Sequence, residues 1–256
     1  MKRATVLLAA VGALLVATPA WSGASPAGVH LVTPGGSIQA AIDKAGPGDT
    51  VFVAPGVYHE NVLLEKDGLN LVGFGAHLRP PAQNALSPCA DPNHPEETIG
   101  ICIFGPFFAG ALTSDVGVAG FTVSGFDVGF AAVGADDATF AWNRAVDNPV
   151  IGFIGVFSPG LRVVGNVARG SHLAGIFMLE QHEGSFVGAN RVRDNAVGIL
   201  VELSDGAVVR GNRLRHNELD LSWDGLGSGN VFAGNSCETS APPGLCDEAA
   251  DKGGDD

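Results

Sequence analysis

The sequence predicts an all-β protein: a single-stranded right-handed parallel β-helix with coils of 22–23 residues and an N-terminal capping helix. Three observations predict it. A Gly followed by a large apolar residue recurs at Gly129-Phe130, Gly152-Phe153, Gly175-Ile176 and Gly198-Ile199, each step being 23 residues. A second marker, Asn143, Asn166, Asn190 and Asn212, recurs at steps of 23, 24 and 22, and five residues after each comes Asn148, Ser171, Asn195 or Asn217. Gly is abundant, at 37 of 256 residues, and between the glycines stand short runs of β-branched and small apolar residues, with few long amphipathic segments. A two-marker repeat of this period means a solenoid. Leucine-rich repeats have a similar period but need a Leu-x-x-Leu-x-Leu framework, which is missing.

The chain opens like an export signal, expected over 1–24. Lys2 and Arg3 precede the apolar run Ala4–Ala17, and small residues offer cleavage after Ala20 or Ala24. That run is shorter than the ~20 residues a spanning helix needs, so a secreted or extracytoplasmic protein without a transmembrane segment is expected. Without Lys2 and Arg3, 12 basic residues face 27 acidic ones, a net charge of −15. Nucleic acid is thereby excluded as a partner, because phosphate binding needs a basic footprint. Nothing in the sequence calls for more than a monomer.

The N-terminal cap and first coil are expected over 29–75. Ile38, Ala41, Ile42 and Ala45 fall at i, i+3, i+4 and i+7, giving a short helix that Ser37 caps and Gly46-Pro47-Gly48 stops. Strands follow at Thr50–Val53, Val57–Leu64 and Leu69–Val72. A loop insertion is expected over 76–115, most loop-like at 80–98, with strand character returning at Ile99–Phe104. Regular coils fill 116–237, and 238–256 reads as a C-terminal cap and a disordered acidic tail. Four Cys in an exported chain suggest disulfides, with Cys89–Cys102 and Cys237–Cys246 the economical pairing. His94 inside the first loop keeps a metal site open, although the spacing matches no zinc pattern.

Stacked coils place equivalent residues one strand spacing apart, about 4.8 Å. Asn suits the marker position because it tolerates the left-handed conformation and its amide can bond the Asn of the next coil. Residues 36–62, Gly-Ser-Ile-Gln-Ala-Ala-Ile-Asp-Lys-Ala-Gly-Pro-Gly-Asp-Thr-Val-Phe-Val-Ala-Pro-Gly-Val-Tyr-His-Glu-Asn-Val, resemble the N-terminal cap and first coil of the pectate lyase-like superfamily. With the later coils the resemblance covers about residues 30–237 and implies the pectin lyase fold. Its members include lyases, hydrolases, esterases, epimerases and proteins without a known reaction, so it implies little about function. The Trp-Ile-Asp-His pattern of pectate lyases, the Asn-Thr-Asp and Gly-His-Gly of polygalacturonases, and the Gln-Asp and Asp-Phe-x-Phe-Gly of pectin methylesterases are missing. Asp91-Pro92-Asn93-His94 is only faintly similar to the Asp-Pro-His of alginate epimerases, and Asp136-Asp137 reads as a turn.

Three features remain as candidate sites. The Gly-to-Asn interval is 14 residues in three coils but 15 between Gly175 and Asn190, which places one extra residue near Glu180-Gln181-His182-Glu183-Gly184. Glu180, His182 and Glu183 supply the types needed for acid–base work or metal binding, and equally make a polar turn with a tolerated insertion. Arg169, Arg193 and Arg215 recur three residues after the Asn marker, and Arg191 and Arg213 one residue after it. These arginines would pair with the carboxylates of a uronate-bearing polysaccharide, or form a solvated stripe balanced by Asp147, Asp194 and Glu218. Finally, Ala131, Ile154, Phe177 and Leu200 should face outward, forming an apolar contact stripe to be covered by the Cys89–Cys102 loop or by a partner chain.

Two functions fit. The first is a secreted β-helix engaging polysaccharide, as a lyase, epimerase or hydrolase acting on acidic glycans; a lyase would call for Ca²⁺, and no other cofactor is indicated. The rival is a non-catalytic binding, surface or maturation-factor protein, similar to the β-helix proteins associated with copper delivery to nitrous oxide reductase. Against copper itself stand a single Met beyond Met1, Met178, and the lack of a His cluster of ligand spacing.

Overall fold

The computed structural model describes residues 27–83, 86–181 and 184–246. The signal segment with its Ala20 and Ala24 cleavage positions, His182, Glu183 and the acidic tail all lie outside the described residues.

The described chain winds as a right-handed-type parallel β-solenoid of about nine turns, with very little helix. Each turn lays one strand on each of three sheets. The first sheet has nine strands, from Val29–Val32 to Val231–Ala233. The second has seven: Gly56–His59, Ala76–Arg79, Thr122–Ser124, Arg144–Val146, Val167–Arg169, Arg191–Arg193 and Arg213–Arg215. The third has eight, from Val62–Leu64 to Ser240–Ala241, and its central strands are six residues long. Within the stretch 76–115, Ala76–Arg79 and Ile99–Phe104 are rungs of the second and third sheets, and the chain leaves the sheets between them.

The repeat markers have structural causes. A Cβ on Gly152 would come within 2.5 Å of the Gly175 carbonyl oxygen, and one on Gly175 within 2.9 Å of the Gly198 oxygen. The recurring Gly therefore lets successive coils approach. The following residue turns inward: Phe130, Phe153, Ile176 and Ile199 are fully buried, and Phe130 stacks on Phe153 at 4.6 Å. The Asn marker sits at the corner between the first and second sheets. Asn143, Asn166 and Asn190 each donate a backbone N–H to the amide oxygen of the next Asn, at 2.8–3.0 Å. Their Nδ2 groups bond carbonyls of the preceding coil, so every buried amide is satisfied twice over.

Register locates the inserted residue. Val156 pairs with Leu179, 23 residues on, but Arg162 pairs with Phe186, 24 on. The extra residue lies between the two, where the side chain of Gln181 turns inward. It bonds the Leu179 carbonyl and accepts from Ser185 Oγ. Ser158 and Ser204 hold the equivalent place in neighbouring coils.

One short helix, α1 (Ile38–Lys44), precedes the second strand of the first sheet, with the Ser37 hydroxyl accepting from the Ala40 N–H at its start. Ile38 and Ile42 are buried in the main core. The disulfides Cys89–Cys102 and Cys237–Cys246 are both formed. The outer face of the third sheet makes a second apolar cluster. Ala131, Phe177 and Leu200 are buried in it, half-buried Ile154 packs against it, and Cys89, Ala90 and Phe107 join from the loop and the segment after it. Phe108 stays exposed.

Candidate functional site

Alternation along a strand decides which arginines share a face. In Arg191–Arg193 and Arg213–Arg215 the middle residues, Val192 and Leu214, are buried, so both flanking guanidinium groups point outward. Strand register then stacks Arg169, Arg193 and Arg215 in one column and Arg191 on Arg213 in another. The second sheet therefore assembles all five arginines that the sequence singles out.

It also recruits two more. Arg144, directly after the marker Asn143, heads the column that runs through Val167 to Arg191 and Arg213. The rule that finds Arg191 and Arg213 finds Arg144 as well. Arg79 lies in a coil without an Asn marker and reaches this face only through the pairing of Ala76–Arg79 with Thr122–Ser124. Seven of the chain's 14 basic residues thus sit on one sheet, and no strand of that sheet contains an Asp or Glu.

Carboxylates border the face at the corner turns. Asp147 pairs with Arg169 at 3.4 Å, and Asp194 pairs with Arg193 and lies 3.8 Å from His216. These pairs are exposed and contribute little to stability. At the N-terminal end, His77 Nε2 bonds Ser124 Oγ at 2.8 Å. Burial, followed by the charges of Arg79 and His59, lowers the His77 pKa below its usual value.

Glu180 sits elsewhere. It follows the third-sheet strand Ala174–Leu179, whereas the arginines lie on the second sheet, before that strand begins. Six residues at about 3.3 Å each put roughly 20 Å of sheet between them. Glu180 and Arg193 therefore face different sides of the solenoid and share no groove. Nor is the left-handed backbone of Glu180, φ 49°, special to its coil: Gly134, Phe157 and Leu203 adopt the same conformation at the equivalent corner. Its N–H donates to the Glu202 carbonyl, an ordinary coil-to-coil bond. Asp136 and Asp137 occupy the corresponding corner two coils earlier, away from the arginines.

The model of the family described as periplasmic copper-binding protein (NosD) matches residues 111–242, just over half the chain. The chain belongs to the NosD family. A periplasmic family accords with the two disulfides, and no described helix is long and apolar enough to cross a membrane. Among solved structures, the A-module of the mannuronan C-5 epimerase AlgE6 of Azotobacter vinelandii is 20% identical, with 80% of this chain and 72% of that one covered and a TM-score of 0.49. Pectate lyase Pel9A is 11% identical over 88% of this chain and 82% of its own, with a TM-score of 0.47. A rhamnogalacturonan lyase is 11% identical over 77% and 70%, with a TM-score of 0.49. These likenesses say nothing about activity. No curated protein matches the chain.

Proposed function

We propose that this NosD-family protein is an extracytoplasmic β-helix that binds an acidic polysaccharide along its second sheet without turning it over. The observation that carries this reading is the concentration of seven arginines on one carboxylate-free sheet of a chain whose net charge is −13. Stacked guanidinium groups repel one another, by about 1 kcal/mol per neighbouring pair at 4–5 Å in bulk water. A ligand with carboxylates at regular intervals relieves that repulsion and accepts paired N–H donors. The separation of Glu180 from the arginines supports binding over catalysis, because acid–base chemistry needs its groups around one reacting atom. We further read α1 as the cap on the open end of the core, supported by the burial of Ile38 and Ile42.

The family description favours copper as a second reading. The described residues do not fit it. They contain no group of three or more His, Cys, Asp and Glu side chains placed to hold a metal. All four Cys are in disulfides, and Met178 is fully buried in the core. No copper step is derived for this chain.

The test is titration of the mature protein with polygalacturonate and alginate at several salt concentrations, with Ca²⁺ present and absent, while recording ultraviolet absorbance. Binding that weakens with salt and is lost in R193Q/R215Q is expected, with no unsaturated product. Binding that is indifferent to those substitutions refutes the arginine face, and unsaturated sugars refute the non-catalytic reading.

A further inference from the structure

One aromatic side chain departs from the solenoid's own rule. At the corner between the first and second sheets, the residue before each Asn has a left-handed backbone, and neighbouring coils place Gly120, Gly165, Ala189 and Gly211 there. One coil places Trp142, with φ 58° and 71% of its surface exposed. A bulky side chain in this conformation costs of order 1 kcal/mol or more. Exposing an indole costs more hydrophobic free energy still. The ring lies over Gly165, where a Cβ would come 2.8 Å from it, so the next coil gives up a side chain to accommodate it.

The strand leading into Trp142 faces a notch of about 420 Å³ on the outer face of the first sheet. Its floor is made by small residues, Gly117, Ala119 and Ala141. Asn70 and Thr139 bring an amide and a hydroxyl, and Asp115 and Asp137 stand at the far corner. No cationic side chain lines it. An anionic sugar would meet two carboxylates here, whereas a neutral one offers hydroxyls for them to accept and an apolar C–H face for the indole.

We infer that Trp142 and this notch form a subsite for an uncharged sugar residue of a glycan. The subsite lies on a different sheet from the arginine face, and its ligand needs no guanidinium group. The two readings therefore stand or fall separately.

The variant that tests it is Trp142→Gly. It installs the residue used by adjacent coils, so the fold should be retained with equal or higher Tm, and loss of binding cannot be blamed on unfolding. Cellohexaose, mannohexaose, xylohexaose and chitohexaose are titrated by calorimetry into the mature wild type, W142G, W142F and R193Q/R215Q. At least one sugar should bind the wild type, about tenfold or more weaker in W142G, partly restored in W142F and unchanged in R193Q/R215Q. Silence across the four sugars overturns the proposal, and so does binding equal in wild type and W142G. Sedimentation of the same proteins covers the other occupant: a wild-type dimer that W142G abolishes, with no sugar binding, would make Trp142 a contact between copies and overturn it too.

Discussion

The backbone N–H of Ser171 is held by the side-chain oxygen of Asn195 in the following coil, at 3.0 Å, while the buried Ser171 hydroxyl has no partner among the described residues. Ser171 occupies a position that Asn148, Asn195 and Asn217 fill in the other coils, and Asn reaches the neighbouring carbonyls as Ser cannot. Asn148 Nδ2, for instance, bonds the Val123 carbonyl at 3.1 Å. Ser171→Asn should complete the ladder and add about 1 kcal/mol, raising Tm by roughly 2–4 °C. Ser171→Ala should change stability little, because it removes an unsatisfied hydroxyl. Thermal unfolding monitored by circular dichroism checks both.

Arg193 lies between Arg169 and Arg215 in the same column. At low salt, Arg193→Gln should leave the unliganded protein as stable as wild type or slightly more so, because it removes two like-charge contacts. The same variant should bind polyanions less tightly and with a shallower salt dependence. Melting curves and binding isotherms across a salt series measure the two effects, and a lower Tm at low salt would contradict the repulsion argument.

Glu180 predicts an absence. Since the equivalent corner holds Gly134 in another coil, Glu180→Gly should be neutral or stabilising by up to about 1 kcal/mol, with glycan binding unchanged. A loss of binding in E180G with an unchanged melting curve would return this corner to the list of working sites.

Asp49 ties the N-terminal rungs together. Its carboxylate bonds His30 at 2.8 Å and accepts the N–H groups of Gly46 and Gly28. The His30 bond first, then those two backbone donors, lower its pKa to about 2. Because the folded state holds the proton less tightly than the unfolded chain, this stabilisation is present above the ordinary value of 3.8 and disappears as pH falls towards 2. Hydrogen exchange of the Gly28 and Gly46 amides should accelerate over that acid range in the wild type. In Asp49→Asn it should already be fast at neutral pH.

The Cys89–Cys102 disulfide anchors a loop whose Cys89 and Ala90 pack into the apolar cluster outside the third sheet. A C89S/C102S variant should lose about 3 kcal/mol, the effect typical of a cross-link closing about 15 residues. It should also bind a hydrophobic dye at the uncovered face, read by fluorescence beside a melting curve.

Much of this molecule is legible along the chain because a solenoid converts sequence period into spatial neighbourhood. Gly152 and Gly175, or Asn166 and Asn190, are adjacent in space because they are one coil apart, and the interval of 15 between Gly175 and Asn190 places the insertion near Gln181 correctly. The arginine columns follow from the same arithmetic. Trp142 also left a signal, as the large residue in a corner otherwise given to Gly120, Gly165 and Gly211.

The sequence alone therefore determined the coil, its register and which residues stack. Only the tertiary structure decided which sheet each column faces, because that depends on how sharply each corner turns the chain, which periodicity does not encode. It placed Glu180 across the third sheet from Arg193, and it brought Arg79 beside Ser124 after an intervening loop. The same fold that made the arginine ladder readable thus dissolved its supposed partnership with the Glu180 turn, because stacking fixes neighbours along the axis and the corners alone fix neighbours around it.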